Sequence, residues 1–216
     1  MTPAGDPDRA AIAVLLAPAR TALITVEVQD GVVGEHSVVP SLAASAEPIL
    51  PRIAALAASA RAAGVTVIHC TVDARGDGKG ASHNARVFGV GGRREGIARS
   101  GAFHRGTVHA AIGATDADLV MARLHGASPM AGTSLDPVLR NLGVTTVVAT
   151  GVSVNVAVLG LTFEAVNLGY HVVIPRDAVA GVDADYVDAV FARTLSLLAT
   201  ITTVDDVVTA WAEAGI

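Results

Sequence analysis

The chain has 216 residues, enough for one α/β domain with a sizeable core, and 51% of them are hydrophobic while only 3% are aromatic, so that core is built from Ala, Val, Leu and Ile. A formal net charge of −5 leaves no basic footprint for nucleic acid. The single cysteine, Cys70, excludes an internal disulfide framework and a multi-cysteine metal site.

Residues 1–20 read as an N-terminal extension, polar from Pro3 to Asp8 and amphipathic from Arg9 to Leu16, ahead of a single domain over 21–216. The extension carries Asp6, Asp8 and Arg9 and lacks a signal-peptide n-region, and the apolar stretches are strand-length or broken by Gly, Pro and charge. A cytoplasmic chain without membrane contact is therefore expected.

Thr21 to Val28 is the first predicted strand, with Leu23, Thr25 and Glu27 on one side and Ile24, Val26 and Val28 on the other. Glu27 thus stands near the carboxyl end of a central strand. It reads either as a hydrogen-bonded structural glutamate or as a general acid or base. Gln29 and Asp30 follow in a loop that their side chains can anchor to the backbone. Ser41 to Ala63 places Ile49, Ile53 and Leu56 on one helical face, with Gly64 as C-cap.

Val65 to Thr71 is the second strand and brings His69 and Cys70 to the same carboxyl edge. His69 is either a satisfied structural residue or part of a pocket. Cys70 as a nucleophile lacks an activating partner that the sequence can name. Asp73 to Gly101 is a long connection of the kind that forms a lid or a subunit contact. Its GVGG lacks the flanking strand and helix of a phosphate-binding loop, and Arg75, Arg86, Arg93, Arg94 and Arg99 read either as a solvated loop or as contacts for an anionic substrate, with the solvated loop favoured.

Asp118 to Leu124 is the third strand. Alternation sets Arg123 and His125 on one face and Leu124 on the other. Arg123 supplies a permanent charge that could pair with Glu27, and His125 is the one nearby group able to move a proton near neutral pH. Leu135 to Leu142 is a short helix ended by Gly143. Val144 to Ala149 is a strand buried on both faces, and after Gly151 a helix runs from Val154 to Asn167. This tight junction lies where open α/β sheets bind ligands, with the helix N-terminus aimed into the same space. Ser153 and Asn155 are its polar groups. His171 to Pro175, a helix from Tyr186 to Leu198, a strand from Ala199 to Thr203 and a helix begun by Asp205 and Asp206 complete the chain.

The stretches TALITVEVQDGVVG, LRNLGVTTVVATGVSVN and LGYHVVIPRDAVAG resemble the isochorismatase-like cysteine hydrolase superfamily from about Thr21 to Val208. The resemblance implies a Rossmann-like three-layer α/β/α fold around a mostly parallel six-stranded sheet. Family members carry an Asp-x-Gln at the end of the first strand, a Lys closing a middle strand and a GV-x-T-N-x-C-V turn whose Cys is the nucleophile. Onto these positions fall Glu27, either Leu124 or, with a one-residue shift, Arg123, and Ala157. Ser128-Pro129-Met130 replaces the family's Ser-Ala-Phe, with Met130 as pocket wall. The resemblance also implies a cis Val152–Ser153 peptide and a homodimer or homotetramer. The Asp-x-His spacing of zinc-binding relatives is missing, so neither metal nor cofactor is expected.

Three functions follow. The first is a cysteine-independent hydrolase that uses Glu27 with water, aided by Arg123 and His125, in a pocket formed by Gln29, His69, Ser128, Met130, Val152, Ser153, Asn155 and Ala157. The second is a non-catalytic relative that binds a small molecule or a partner protein there. The third is a structural subunit of a larger assembly.

Overall fold

The structure is a computed structural model and describes residues 9–35, 37–73, 75, 77–89 and 107–214. Six strands, β1 (Thr21–Val26), β2 (Thr66–Val72), β3 (Leu119–Arg123), β4 (Thr146–Gly151), β5 (His171–Pro175) and β6 (Thr200–Thr202), form one all-parallel sheet in the order β3-β2-β1-β4-β5-β6. Every residue of β1 and of β4 is buried, as the uninterrupted apolar runs require of strands covered on both faces.

One face packs against α1 (Arg9–Leu15), α2 (Leu50–Ala62) and α6 (Val204–Ala214), through Ile12, Leu23, Ile53, Leu56, Val67, Val148 and Trp211. The other packs against α3 (Leu135–Asn141), α4 (Leu159–Asn167) and α5 (Ala184–Val190), through Ile24, Ile68, Leu139, Val147, Leu161 and Val190. The result is the expected three-layer α/β/α arrangement. Strand order reverses between β1 and β4, which makes their carboxyl ends the topological switch point. Among the described residues no helix is long and apolar enough to cross a membrane.

Several elements differ from the sequence-based expectation. The helix predicted over Ser41 to Ala63 is three pieces, Pro40–Ala46, Glu47–Ile49 and α2, because Pro48 and Pro51 each lack the N–H that would continue the ladder. The helix after β4 opens with a π-turn, Val154–Val158, and the one predicted over Tyr186 to Leu198 contains another, Phe191–Leu195. Most consequentially, β1 stops at Val26. Glu27 has φ +56°, a left-handed conformation that breaks the period-two alternation, so Val28 joins the Leu23 side of the sheet instead of the Ile24 side. Of the connection from Asp73 to Gly101, Arg93, Arg94, Arg99 and most of GVGG lie outside the described residues; Arg75 makes an exposed pair with Asp77.

Candidate functional site

The register brings the strand ends together. Val26 is level with Cys70 on one side and with Gly151 on the other, and Val72 at the end of β2 is level with Arg123 at the end of β3. In a parallel sheet, level residues share a face, so Arg123 lies on the side of Val72 and Cys70. Ordinary alternation would send Glu27 to the opposite side with Thr25. Its positive φ turns the side chain over, and Arg123 Nη2 donates to Glu27 Oε1 across 96 residues of sequence. The guanidinium is nearly enclosed, its side chain 4% exposed, while Glu27 retains 18%. Arg123 Nε and Nη1 are buried without a hydrogen-bond acceptor among the described residues.

Cys70 sits within the electrostatic reach of both members of this pair. Burial pushes its thiol up to about 12, against the pull of Arg123 and with the push of Glu27, so the sulfur is a protonated core atom at neutral pH. The backbone is anchored around the pair as well. Glu27 N–H donates to the Cys70 carbonyl at 2.8 Å. The buried Gln29 carboxamide serves Val72 as a strand neighbour would, with Nε2 donating to its carbonyl at 2.8 Å and Oε1 accepting its N–H at 2.7 Å.

At the β4 junction only glycine fits position 151. A Cβ there would lie 2.3 Å from the Val26 carbonyl oxygen, and φ is +103°. The Val152–Ser153 peptide is cis. The amides that follow are already engaged: Val154 N–H donates to the Ala180 carbonyl at 2.9 Å, and those of Val156 and Val158 to Ser153 O at 3.2 and 3.1 Å. Three donors of this turn therefore bond protein oxygens. Val152 and Ala157 are buried, the latter in the same apolar cluster as Val26 and Cys70, and Ser153 and Asn155 are partly exposed.

A cleft of about 550 Å³ runs between β3 and the loop after it, lined by Val120 to His125, Pro129 and Gly132 to Ser134. His125 forms part of its wall, with Cε1 3.2 Å from where a Cβ on Gly132 would stand. The loop is tied to α4: Ser128 Oγ donates to Glu164 Oε2, which also accepts the Ala131 amide at 2.9 Å. The close approach uses Gly160, whose added Cβ would meet Ser128 Cβ at 3.0 Å. Ser128 and the buried Met130 thus hold the cleft's loop in place. Glu164 escaped sequence reasoning, because a contact across 36 residues leaves no local signal.

His69 is placed apart from this group, on the Thr25 face. Its Nδ1 is 2.7 Å from Thr25 Oγ1 and its Nε2 3.3 Å from Asp118 Oδ2. Arg61 donates twice to the same carboxylate, at 2.9 and 2.7 Å, and the Thr115 amide once at 2.8 Å. Burial lowers the His69 pKa, with Asp118 opposing. Burial also pushes the Asp118 carboxyl up, but Arg61, the Thr115 amide and His69 outweigh it and hold it at about 2. The structure therefore joins Glu27, Arg123 and the cleft bearing His125 at one edge, and encloses His69 in a separate structural network.

A doubly wound parallel sheet with a cleft and an ion pair at its carboxyl edge defines a three-layer α/β protein. The isochorismatase domain family model matches residues 21–206, and the chain belongs to that family. It is similar to a cysteine hydrolase from Pseudomonas syringae pv. phaseolicola, at 26% identity over 91% of this chain and 94% of that one, with a TM-score of 0.75. An isochorismatase family protein from Burkholderia thailandensis shares the fold, at 23% identity over 90% and 96% of the two chains, with a TM-score of 0.71. The uncharacterized isochorismatase family protein YecD of Escherichia coli O157:H7 is 39% identical over 77 residues, which span 35% of this chain and 40% of that relative.

Proposed function

We propose that this isochorismatase-family chain binds a small molecule at the carboxyl edge of β1, β3 and β4 without passing it through an acyl-enzyme. The sequence resemblance puts Ala157 where relatives carry the nucleophilic cysteine and Glu27 where they carry aspartate, and on that reading a methyl group replaces the sulfur. The observation that carries the reading is the ion pair. Glu27 is held against the nearly enclosed Arg123 guanidinium, and the couple forms an ordered ion pair at the mouth of the site. Cys70 is no substitute, because its buried thiol stays protonated. Assembly as a homodimer or homotetramer belongs to the same proposal and is read by light scattering.

A second reading keeps the site catalytic. Glu27 is 18% exposed, so water can reach its carboxylate and be activated for attack on a bound substrate. The test is a panel of small esters, amides and isochorismate-like acids, followed by thermal shift, product chromatography and intact mass. Binding without processing gives a ligand-dependent rise in Tm that survives Glu27→Gln, with no product formed. Turnover abolished by Glu27→Gln selects the second reading. A covalent adduct on the chain refutes both.

A further inference from the structure

The two edges of the sheet are finished differently. At one end β6 is only three residues long and none of them is fully exposed. At the other end β3 is five residues long, and Leu119, Val120 and Ala122 are exposed, Val120 at 52%. Before Arg123 it reads Leu-Val-Met-Ala, with neither the lysine or proline nor the shortness by which natural edge strands resist pairing. The direction of its backbone groups follows from one bond. Asp73 N–H donates to the Arg123 carbonyl at 2.8 Å, so residues 119, 121 and 123 turn their N–H and C=O toward β2. Those of Val120 and Ala122 therefore point outward, where no strand neighbours β3 among the described residues. The cleft of about 550 Å³ runs along this side, between Val120, Met121 and Ala122 and the loop that carries Pro129 and Thr133.

We infer that this edge pairs with β3 of a second copy of the chain, antiparallel about a two-fold axis at Met121. The inference rests on the assembly proposed above and adds the surface that makes it. In that register the strand is complementary to itself. Val120 faces the partner's Ala122, Ala122 faces the partner's Val120, and each pair exchanges both of its N–H···O bonds, so every outward backbone group of β3 is satisfied. Met121 stands opposite the partner's Met121 between those pairs. Leu119 stands opposite the partner's Arg123, so the two buried guanidiniums, each held by its own Glu27, stay at opposite ends of the pairing. The neighbouring two-fold registers do less well. An axis at Val120 sets Ala122 against Asp118, whose N–H already donates to the Thr115 carbonyl at 3.0 Å, and an axis at Ala122 sets Val120 against Leu124, beyond the end of the strand. A closed pair covers the edges of both copies at once, which an unrelated segment laid on one copy does not.

The experiment uses the full chain and reads both the register and the affinity. Met121→Cys, oxidised gently while the native Cys70 stays buried, should form a disulfide-linked dimer, because opposed residues of a non-hydrogen-bonded pair hold their Cα atoms about 4.5 Å apart. Val120→Cys and Ala122→Cys lie diagonal to their own copies, about 7–8 Å away, and should link at least about tenfold more slowly. Ala122→Pro deletes an N–H that the β2 ladder does not use, and should raise the dimer dissociation constant in sedimentation at least about tenfold with the native circular dichroism retained. Val120→Lys places an edge-blocking charge on the same strand without touching the backbone and should do the same. A wild-type chain that sediments as a monomer at every concentration overturns this pairing together with the assembly reading. An oligomer unchanged in both variants, with no link through Met121→Cys, overturns the pairing and leaves assembly standing through another face.

Discussion

The Glu27–Arg123 pair is the strongest quantitative test of this site. Arg123→Met removes the guanidinium that is paired with the Glu27 carboxylate. Because that group keeps 18% exposure and can turn toward water, the cost should fall at the low end for a broken buried pair, about 3 kcal/mol. Glu27→Leu instead strands a guanidinium that is only 4% exposed, and its cost should be the larger, about 4–5 kcal/mol. In a chain of this size the smaller loss corresponds to a fall in Tm of roughly 6–12 °C. The double variant exchanges two charges for two apolar side chains of similar size and should recover most of the loss, because neither ion is left buried alone. Urea denaturation of the four proteins, with m compared across them, gives the cycle. Single-variant losses that simply add in the double variant, within about 0.5 kcal/mol, would show that the two groups do not act as a pair and would refute the reasoning.

Gly151→Ala sets a methyl group 2.3 Å from the Val26 carbonyl oxygen at a backbone φ of +103°, so β1 and β4 must separate; a loss of more than about 3 kcal/mol, or no soluble folded protein, is expected from denaturation and yield. The Cys70 thiol, pushed up to about 12, should resist a thiol-reactive dye at pH 8 in the native protein and react at once in denaturant; rapid native labelling would contradict its burial. Stability should also fall with acid in a defined direction. The His69 pKa is lowered in the fold, so below its ordinary value of 6.5 the unfolded chain takes up a proton that the folded one resists, and stability declines there by at most about 1.4 kcal/mol per pH unit for this group. Asp118, held at about 2, adds a second decline of the same sign from its ordinary 3.8 downward. Urea midpoints measured from pH 7.5 to 4 should lose their first decline in His69→Gln, and an unchanged profile would refute the assignment.

The fully buried strands β1 and β4, the glycine that ends β4 and the helix that follows were legible in the chain itself, because apolar runs, β-branched residues and glycine act through local backbone preferences. The same local patterns carried the family. Arg123 and His125 both line one cleft, but so does Leu124, which alternation set on the other face, because β3 ends at Arg123 and the strand period does not extend to His125. What no local rule contained was the break at Glu27. Its left-handed backbone, with its N–H bonded to the Cys70 carbonyl, reverses the side that alternation assigns and delivers the carboxylate to Arg123.

Long-range pairing decided the rest. His69 occupies the strand-end position of a pocket residue, yet Thr25 and Asp118, 44 and 49 residues away, enclose it on the opposite face. Ser128 could be read as a site hydroxyl until Glu164 arrives from α4 to hold it. The sequence by itself determined which segments are buried and in what order they alternate, since those follow from the period of apolar residues along the chain. Only the tertiary structure decided which polar groups meet, because the partners of a buried charge or imidazole are chosen by strand register and loop closure between segments that share no local pattern.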